Sequence, residues 1–286
     1  MVRIENEQLT VLINEMGAEL TSVIDRKSEV EYMWSGDPAF WGKHSPVLFP
    51  IVGTLKNNTF RFKGEEYILP RHGFAREKKF TVSEDGTTFS LSSDEETKKV
   101  YPFDFLLSIH YGLNENELTV TYTVENTGTE TMYFSIGAHP AFAVPIGNAG
   151  NYEDHFLEFN QEENADKWLI TKEGLISLNP EPYFKKEKYI QLSKELFKKD
   201  AIVLKKLKSD CISIRSNKDD NGIDFKFSGF PYFGIWAAKG ADFVCLEPWC
   251  GIADSENHNQ ELESKEGINK LVLGEKFSRS WSIRVY

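Results

Sequence analysis

The sequence predicts an all-β chain of largely antiparallel strands, arranged as two large sheets packed face to face. Three observations carry this reading: apolar residues recur at every second position, turn-forming residues separate these runs, and helical signals are few. The alternation is clearest in Leu118-Thr119-Val120-Thr121-Tyr122-Thr123-Val124, where threonines fill the intervening positions, and in Ser280-Trp281-Ser282-Ile283-Arg284-Val285. A strand points successive side chains to opposite faces. Such patterns therefore set one face on a core and the other toward solvent or a second sheet.

In chain order the strand-like segments are Leu9 to Ile13, Phe80 to Val82, Phe89 to Leu91, Phe105 to Tyr111, Leu118 to Val124, Cys211 to Arg215, Ile223 to Phe227, Phe233 to Ala237, Phe243 to Leu246 and Ser280 to Val285. Glu84-Asp85-Gly86-Thr87, Asn114-Glu115-Asn116, Asn126-Thr127-Gly128 and Asp219-Asp220-Asn221-Gly222 supply the turn chemistry between them. Ser92 and Ser93, each with Glu three residues on, predict a short capped helical turn that Pro102 ends. Leu192 to Lys199 predicts a brief surface helix. No Pro/Gly/Ser linker, repeat or low-complexity tract divides the chain, so one domain over residues 1–286 is expected.

Composition narrows the partners. Of 286 residues, 33 are Lys or Arg and 44 are Asp or Glu, a formal net charge of −11. That balance argues against a nucleic-acid backbone binder, which needs a basic face. It leaves room for a small anionic ligand, for which one local Arg/Lys cluster suffices. Apolar residues make up 40% and charged residues 27%, which excludes wholesale disorder. Aromatics reach 13%, which suits both β-structure and sugar-binding surfaces. Met1 to Leu20 lacks the features of a signal peptide, and no apolar run is long enough to suggest a membrane helix. Cys211, Cys245 and Cys250 are odd in number and contain no C-x-x-C pair. Reduced thiols and a cytoplasmic location are expected.

Several chemistries lack their motif. There is no G-x-S-x-G elbow. Gly36-Asp37-Pro38-Ala39-Phe40-Trp41-Gly42-Lys43-His44 has one residue too many for a phosphate loop, and a His where Ser or Thr is needed. His44, His72, His110, His139, His155 and His258 show no H-x-H or H-x-x-x-H spacing, so no local metal site is visible. A metal site assembled from distant positions stays open, and no cofactor is expected.

Three polar segments sit in apolar or constrained surroundings. Pro70-Arg71-His72-Gly73-Phe74-Ala75-Arg76 places a His beside a conformationally free Gly, with two arginines close by; it reads as a loop with a solvated His or as a binding loop. Ser135-Ile136-Gly137-Ala138-His139-Pro140-Ala141-Phe142 ends a strand-like run at a His held extended by Pro, either a structural His or one lining a pocket. Phe243-Val244-Cys245-Leu246-Glu247-Pro248-Trp249-Cys250-Gly251 puts a carboxylate at the end of an apolar run. Such a group is costly unless paired, protonated or functional. Trp249 beside it suits a core or a surface that stacks on a sugar ring.

Together, LFPIVGTLKN, RHGFAR, SIGAHPAF and CLEPWCGIADS resemble the aldose 1-epimerase family of the galactose mutarotase-like superfamily, and in particular its LacX-like branch. The resemblance runs from the first strand to the final SWSIRVY. It implies a single antiparallel β-supersandwich domain and metal-free interconversion of the α and β anomers of an aldose. On that resemblance His139 takes the catalytic acid position and Glu247 the base. His72 and Arg76 fall on substrate-binding positions, as does Asp200 in LFKKDAIVL. Asn57, in the first motif, and Trp249, in the last, complete the expected substrate-binding set.

Two positions depart from the family pattern. Thr54 stands where the LacX-like branch often carries Arg, and Asn58 where galactose mutarotases place a substrate-binding Arg. This points to a hexose other than galactose, or to a phosphorylated one. The implied partner is a small sugar, with no nucleic acid and no membrane. Two rival readings stay open: a glycoside hydrolase pairing Glu247 with Asp104, Asp200 or Asp254, and a non-catalytic sugar-binding or sensing protein on the same fold.

Overall fold

The computed structural model describes residues 1–286, the side chain of Asn148 apart. Its largest sheet has nine strands in the order Glu187–Gln191, His155–Glu163, Cys211–Ser216, Ile223–Lys226, Lys276–Val285, Glu117–Asn126, Phe105–Asn114, Thr88–Ser92 and Thr81–Val82. The long alternating segments form its middle. Leu107, Val120 and Trp281 are buried while Ser108, Thr121 and Ser280 turn outward, and Thr121 and Ser280 hydrogen-bond across the strands at 2.8 Å.

A second sheet has seven strands. Phe243–Cys250 pairs on one side with the short segments Ile136–Gly137 and Ala141–Ala143, and on the other with Tyr232–Trp236. Ile202–Lys205, Asp166–Trp168 and Glu181–Pro182 continue it outward. All pairings in both sheets are antiparallel. The two sheets meet through aromatic side chains: Phe225 stacks on Trp281 at 5.3 Å within its own sheet, and meets Phe233 at 6.2 Å and Phe142 at 5.9 Å across the gap. The expected antiparallel β-sandwich is what forms, and no helix is long and apolar enough to cross a membrane.

Phe243–Cys250 positions the site. Every one of its residues is buried, because both faces are covered. Val244, Leu246 and Cys250 join the main core, while Phe243 and Cys245 pack with Trp34 and Ala141, and Trp249 packs with Leu48 and Val52. The odd-numbered residues, Glu247 among them, therefore look away from the sandwich core toward a second, loop-covered layer.

Two helical expectations change. The short helix spans Glu95–Val100, but its N-cap is Asp94, whose carboxylate accepts the Thr97 amide while the Thr97 hydroxyl accepts the Asp94 amide. Ser92 ends the strand Thr88–Ser92, and Ser93 donates its amide to the Phe105 carbonyl and its hydroxyl to Asp104, so the cap falls to Asp94. Leu192 to Lys199 forms turns, not a helix. Its Leu192 is buried, but Lys194 leaves to donate to the Ala241 carbonyl and the Asp242 carboxylate, which pulls the segment onto the sheet.

Candidate active site

Strand register brings the two principal groups together. Gly137 pairs with Trp249 and Ala141 with Cys245, so position 139 falls across from position 247. The chain there is drawn off the ladder by Pro140, and His139 Nε2 ends 3.2 Å from Glu247 Oε2. Both residues are buried, at 8% and 2% exposure. Trp41 stacks on the His139 ring at 4.9 Å, Trp236 meets it edge-on at 5.8 Å, and His72 does so at 5.7 Å.

The pair lines a cavity of about 400 Å³ together with Trp41, Arg71, His72, Arg76, Asp200, Trp236 and Trp249. That volume fits a hexose-sized ligand. Trp249 forms part of the floor, and glycines on both sides make room for it. A Cβ at Gly137 would come within 2.6 Å of its indole, and one at Gly234 within 2.5 Å. A side chain at either position would displace the ring.

His72 is held by strain and by one backbone loop. Its φ is +69°, a left-handed conformation uncommon outside glycine. Its amide donates to the Gly53 carbonyl at 2.9 Å, and its Nδ1 accepts the Gly53 amide at 3.1 Å. Gly73 beside it lies over the Phe49 carbonyl so closely that a Cβ would sit 2.3 Å from the oxygen. Arg71 Nε stands 3.3 Å from His72 Nε2. A neutral imidazole accepts at only one nitrogen. The Gly53 amide is fixed and the Arg71 side chain is not, so we assign the proton to Nε2 and Arg71 is the partner able to turn toward a ligand. Arg76 donates to the Arg71 carbonyl at 2.9 Å, and its buried Nε has no hydrogen-bond partner in the protein. Asp200 also has a left-handed φ, +75°, and one of its carboxylate oxygens accepts the Ala201 amide at 2.7 Å.

Burial disfavours charge on both members of the pair. It pushes the Glu247 carboxyl well above the usual carboxylate range, against the pull of Arg71. It pushes His139 down to about 3, with the positive charges of Arg71 and Arg76 adding to the effect. His72 is likewise held well below 6.5 by burial first and then by His139, Arg71 and Arg76. The imidazole of His139 therefore departs from the near-neutral value expected of an unperturbed histidine.

The structure gathers His72, Arg76, His139, Asp200, Glu247 and Trp249 around one cavity. It does not bring Asn57 there: Asn57 and Asn58 are exposed on a turn that Asn57 enters at φ +56°. Thr54 lies behind the cavity wall, its Oγ1 2.6 Å from where Gly174 would carry a Cβ. His72 is buried, so the solvated-loop alternative falls away. Trp41 and Trp236 escaped the sequence reading because both reach the site only through tertiary packing. Arg71 had a usable signal, its place directly before His72.

Of the carboxylates weighed as hydrolytic partners, Asp104 is ion-paired to Lys98 at the surface. Asp254 is sealed against Lys265 at 2.7 Å, with both side chains buried. Only Asp200 shares the cavity with Glu247. One metal-capable group does assemble among the described residues: His139, Cys245 and Glu247 place a ligand atom each within 4.8 Å of one another. Sequence spacing gave no sign of it, because Cys245 and Glu247 come together by strand alternation and His139 by register.

The aldose 1-epimerase family model matches residues 1–266. The chain belongs to the aldose 1-epimerase family. It is an isomerase of the mutarotase type, and its substrate is a sugar. Among its relatives, the plasmid-encoded protein LacX of Lactococcus lactis subsp. lactis is 34% identical over 296 residues, covering 99% of each chain. A galactose mutarotase related enzyme from Lactobacillus acidophilus superimposes with a TM-score of 0.93 at 35% identity, covering 99% of this chain and 96% of that one. A galactose mutarotase-like protein from Lactobacillus casei ATCC 334 does so with a TM-score of 0.93 at 29% identity, covering all of both chains.

Proposed function

We propose that this protein interconverts the α and β anomers of a hexose, one that carries an anionic group such as a phosphate, with His139 and Glu247 moving the protons. Residues 1–286 act as one catalytic domain, and the reaction needs no cofactor. The observation that carries it is the buried His139–Glu247 contact on the wall of a sugar-sized cavity. Ring opening needs a proton delivered to the ring oxygen while another leaves the C1 hydroxyl. A pair holding one proton between its members suits this. Burial leaves the shared proton on Glu247 at rest; once it passes to His139 across their 3.2 Å contact, the imidazolium is the acid and the Glu247 carboxylate the base. After opening, Glu247 holds the C1 proton and His139 is neutral. Rotation about C1–C2 then allows closure with both transfers reversed, and the pair ends with the proton count it began with.

Positioning falls to the remaining residues. His72 Nε2–H donates to a sugar hydroxyl, Asp200 accepts one, and the Trp249 indole packs on the ring. Arg71 and Arg76 favour a negative substituent. No carboxylate pairs with Arg71, and Arg76 has only Glu77, at 3.8 Å. Charge-assisted contacts to a phosphate would use both guanidinium groups.

The shared proton makes a pH prediction. A second proton enters the pair only near the depressed His139 value of about 3, and its single proton leaves only well above the usual carboxylate range. On the acid side the singly protonated pair therefore survives well below the pH at which a free imidazole would take up its proton. On an unphosphorylated hexose, which has no titrating group of its own in this range, catalysed kcat/KM after subtraction of spontaneous exchange is expected not to fall as the pH is lowered from about 7 to about 5. A half-maximal point near 6.5 on the acid side would mean that a freely titrating imidazole sets the rate, and would contradict this pairing.

A further inference from the structure

The Cys245 thiol has no part in this chemistry, yet it sits beside the two groups that do. It lies two residues before Glu247 on the same strand, so both side chains leave the same face. It is fully buried, between Ala141 and Trp236 in the sheet, and does not line the cavity. We propose that His139, Cys245 and Glu247 form a binding site for zinc or a similarly thiophilic divalent cation, and that an ion held there blocks anomer exchange.

The geometry is close to what such an ion requires. Nitrogen and oxygen donors about 2.0–2.1 Å from a tetrahedral zinc lie roughly 3.3–3.4 Å apart. His139 Nε2 and Glu247 Oε2 stand 3.2 Å apart. A thiolate at about 2.3 Å from the metal needs roughly 3.6 Å to each of them. All three ligand atoms already lie within 4.8 Å of one another. Closing the remainder takes a movement of about 1 Å, within reach of a rotation about the cysteine Cα–Cβ bond. Imidazole, thiolate and carboxylate suit zinc, and three protein ligands leave a fourth position for solvent from the cavity.

Charge also balances. One thiolate and one carboxylate neutralise a divalent ion, which matters in a pocket walled by Trp41, Trp236 and Phe243. Arg71 and Arg76 oppose the cation and Asp200 favours it. Binding expels the thiol proton and the proton shared by His139 and Glu247 to solvent. With both acid–base groups coordinated, no proton remains to exchange with a sugar. The binding step stands independently of the mutarotase reading; the loss of exchange rests on it.

The two are separable by experiment on the purified full chain. Titration with Co²⁺ alone is expected to give one equivalent of a thiolate-to-metal charge-transfer band, which Zn²⁺ then displaces. The band should survive in C211S and in C250S, leaving Cys245 as its source even if Cys245 variants fold poorly. In C245S and C245A it should vanish, and about 100-fold or more free Zn²⁺ should be needed for the same fractional loss of exchange, since even outer-shell partners cost 10–100-fold in affinity. A wild type with no thiolate band, a band lost in C211S or C250S, or equal zinc inhibition with and without Cys245 would each overturn the proposal. A band with no measurable exchange on any sugar leaves the metal site standing and counts against the mutarotase reading alone.

Discussion

Replacing His139 with Asn or Glu247 with Gln is expected to slow catalysed anomer exchange by about 10²–10⁴-fold, the usual contribution of a general acid–base group. Each change keeps size and some hydrogen-bonding capacity while removing the ability to give and take a proton. Either one should cost nearly as much as both together, because the two groups pass one proton count back and forth. Sugar affinity should fall far less, since His72, Arg71, Arg76 and Asp200 remain around the cavity. Arg76→Ala should behave the other way for a sugar phosphate, weakening binding while sparing turnover at saturation. Polarimetry for the rate and calorimetry for affinity separate the two effects. A His139→Asn or Glu247→Gln variant within a few-fold of wild type would remove that residue from the proton path.

The largest stability effect should come from a pair outside the reaction. Lys265 Nζ donates to Asp254 Oδ1 at 2.7 Å and to the Ile252 carbonyl at 2.6 Å, with the lysine side chain 1% exposed and the aspartate 0%. Asp254 Oδ2 in turn accepts the Lys56 amide at 2.9 Å, and the Asp254 amide donates to the Thr54 carbonyl. One buried carboxylate thus ties the loop after the Glu247 strand to the loop whose Gly53 holds His72. Lys265→Met keeps most of the side-chain bulk but removes the one ammonium on Asp254, leaving the buried carboxylate with only the His258 ring, at 3.2 Å, beside it. Breaking such a pair from one side typically costs about 3–5 kcal/mol. Denaturant unfolding should show a loss of that size. Lys265→Met combined with Asp254→Asn should recover part of it. A loss under about 1 kcal/mol for the single change would show that the charge is not sealed from water.

Long strands with one polar face were the most legible in the sequence, although Thr59–Phe62 and the start of His155–Glu163 also alternate and were not read as strands. Leu118 to Val124 and Ser280 to Val285 alternate cleanly because each turns one face to solvent, and both lie at the centre of the large sheet. Glu19–Asp25 and Ile202–Lys205 escaped notice. Both bury residues from each face, so no period of two survives in their composition. The same cause hid the length of Phe243–Cys250. Glu247 and Pro248 read as its end, whereas the strand runs on to Cys250 because a covering layer accepts the carboxylate face. His139 and Glu247 were visible as polar residues fixed in apolar company. Trp41, Trp236 and the Cys245 contact arise from register and loop packing, which no local pattern encodes. Asn57, expected at the cavity, lies away from it because its motif runs past the cavity wall into an exposed turn.

The measurement that bears most directly on the acid–base account is wild-type anomer exchange, followed by polarimetry or NMR over free hexoses and their 6-phosphates, with binding measured on the same panel. The account predicts exchange far above the spontaneous rate for at least one sugar, greatest where a phosphate meets Arg71 and Arg76. Specific, saturable binding of a sugar whose exchange stays at the spontaneous rate would contradict it, and would make this chain a sugar sensor on a mutarotase fold.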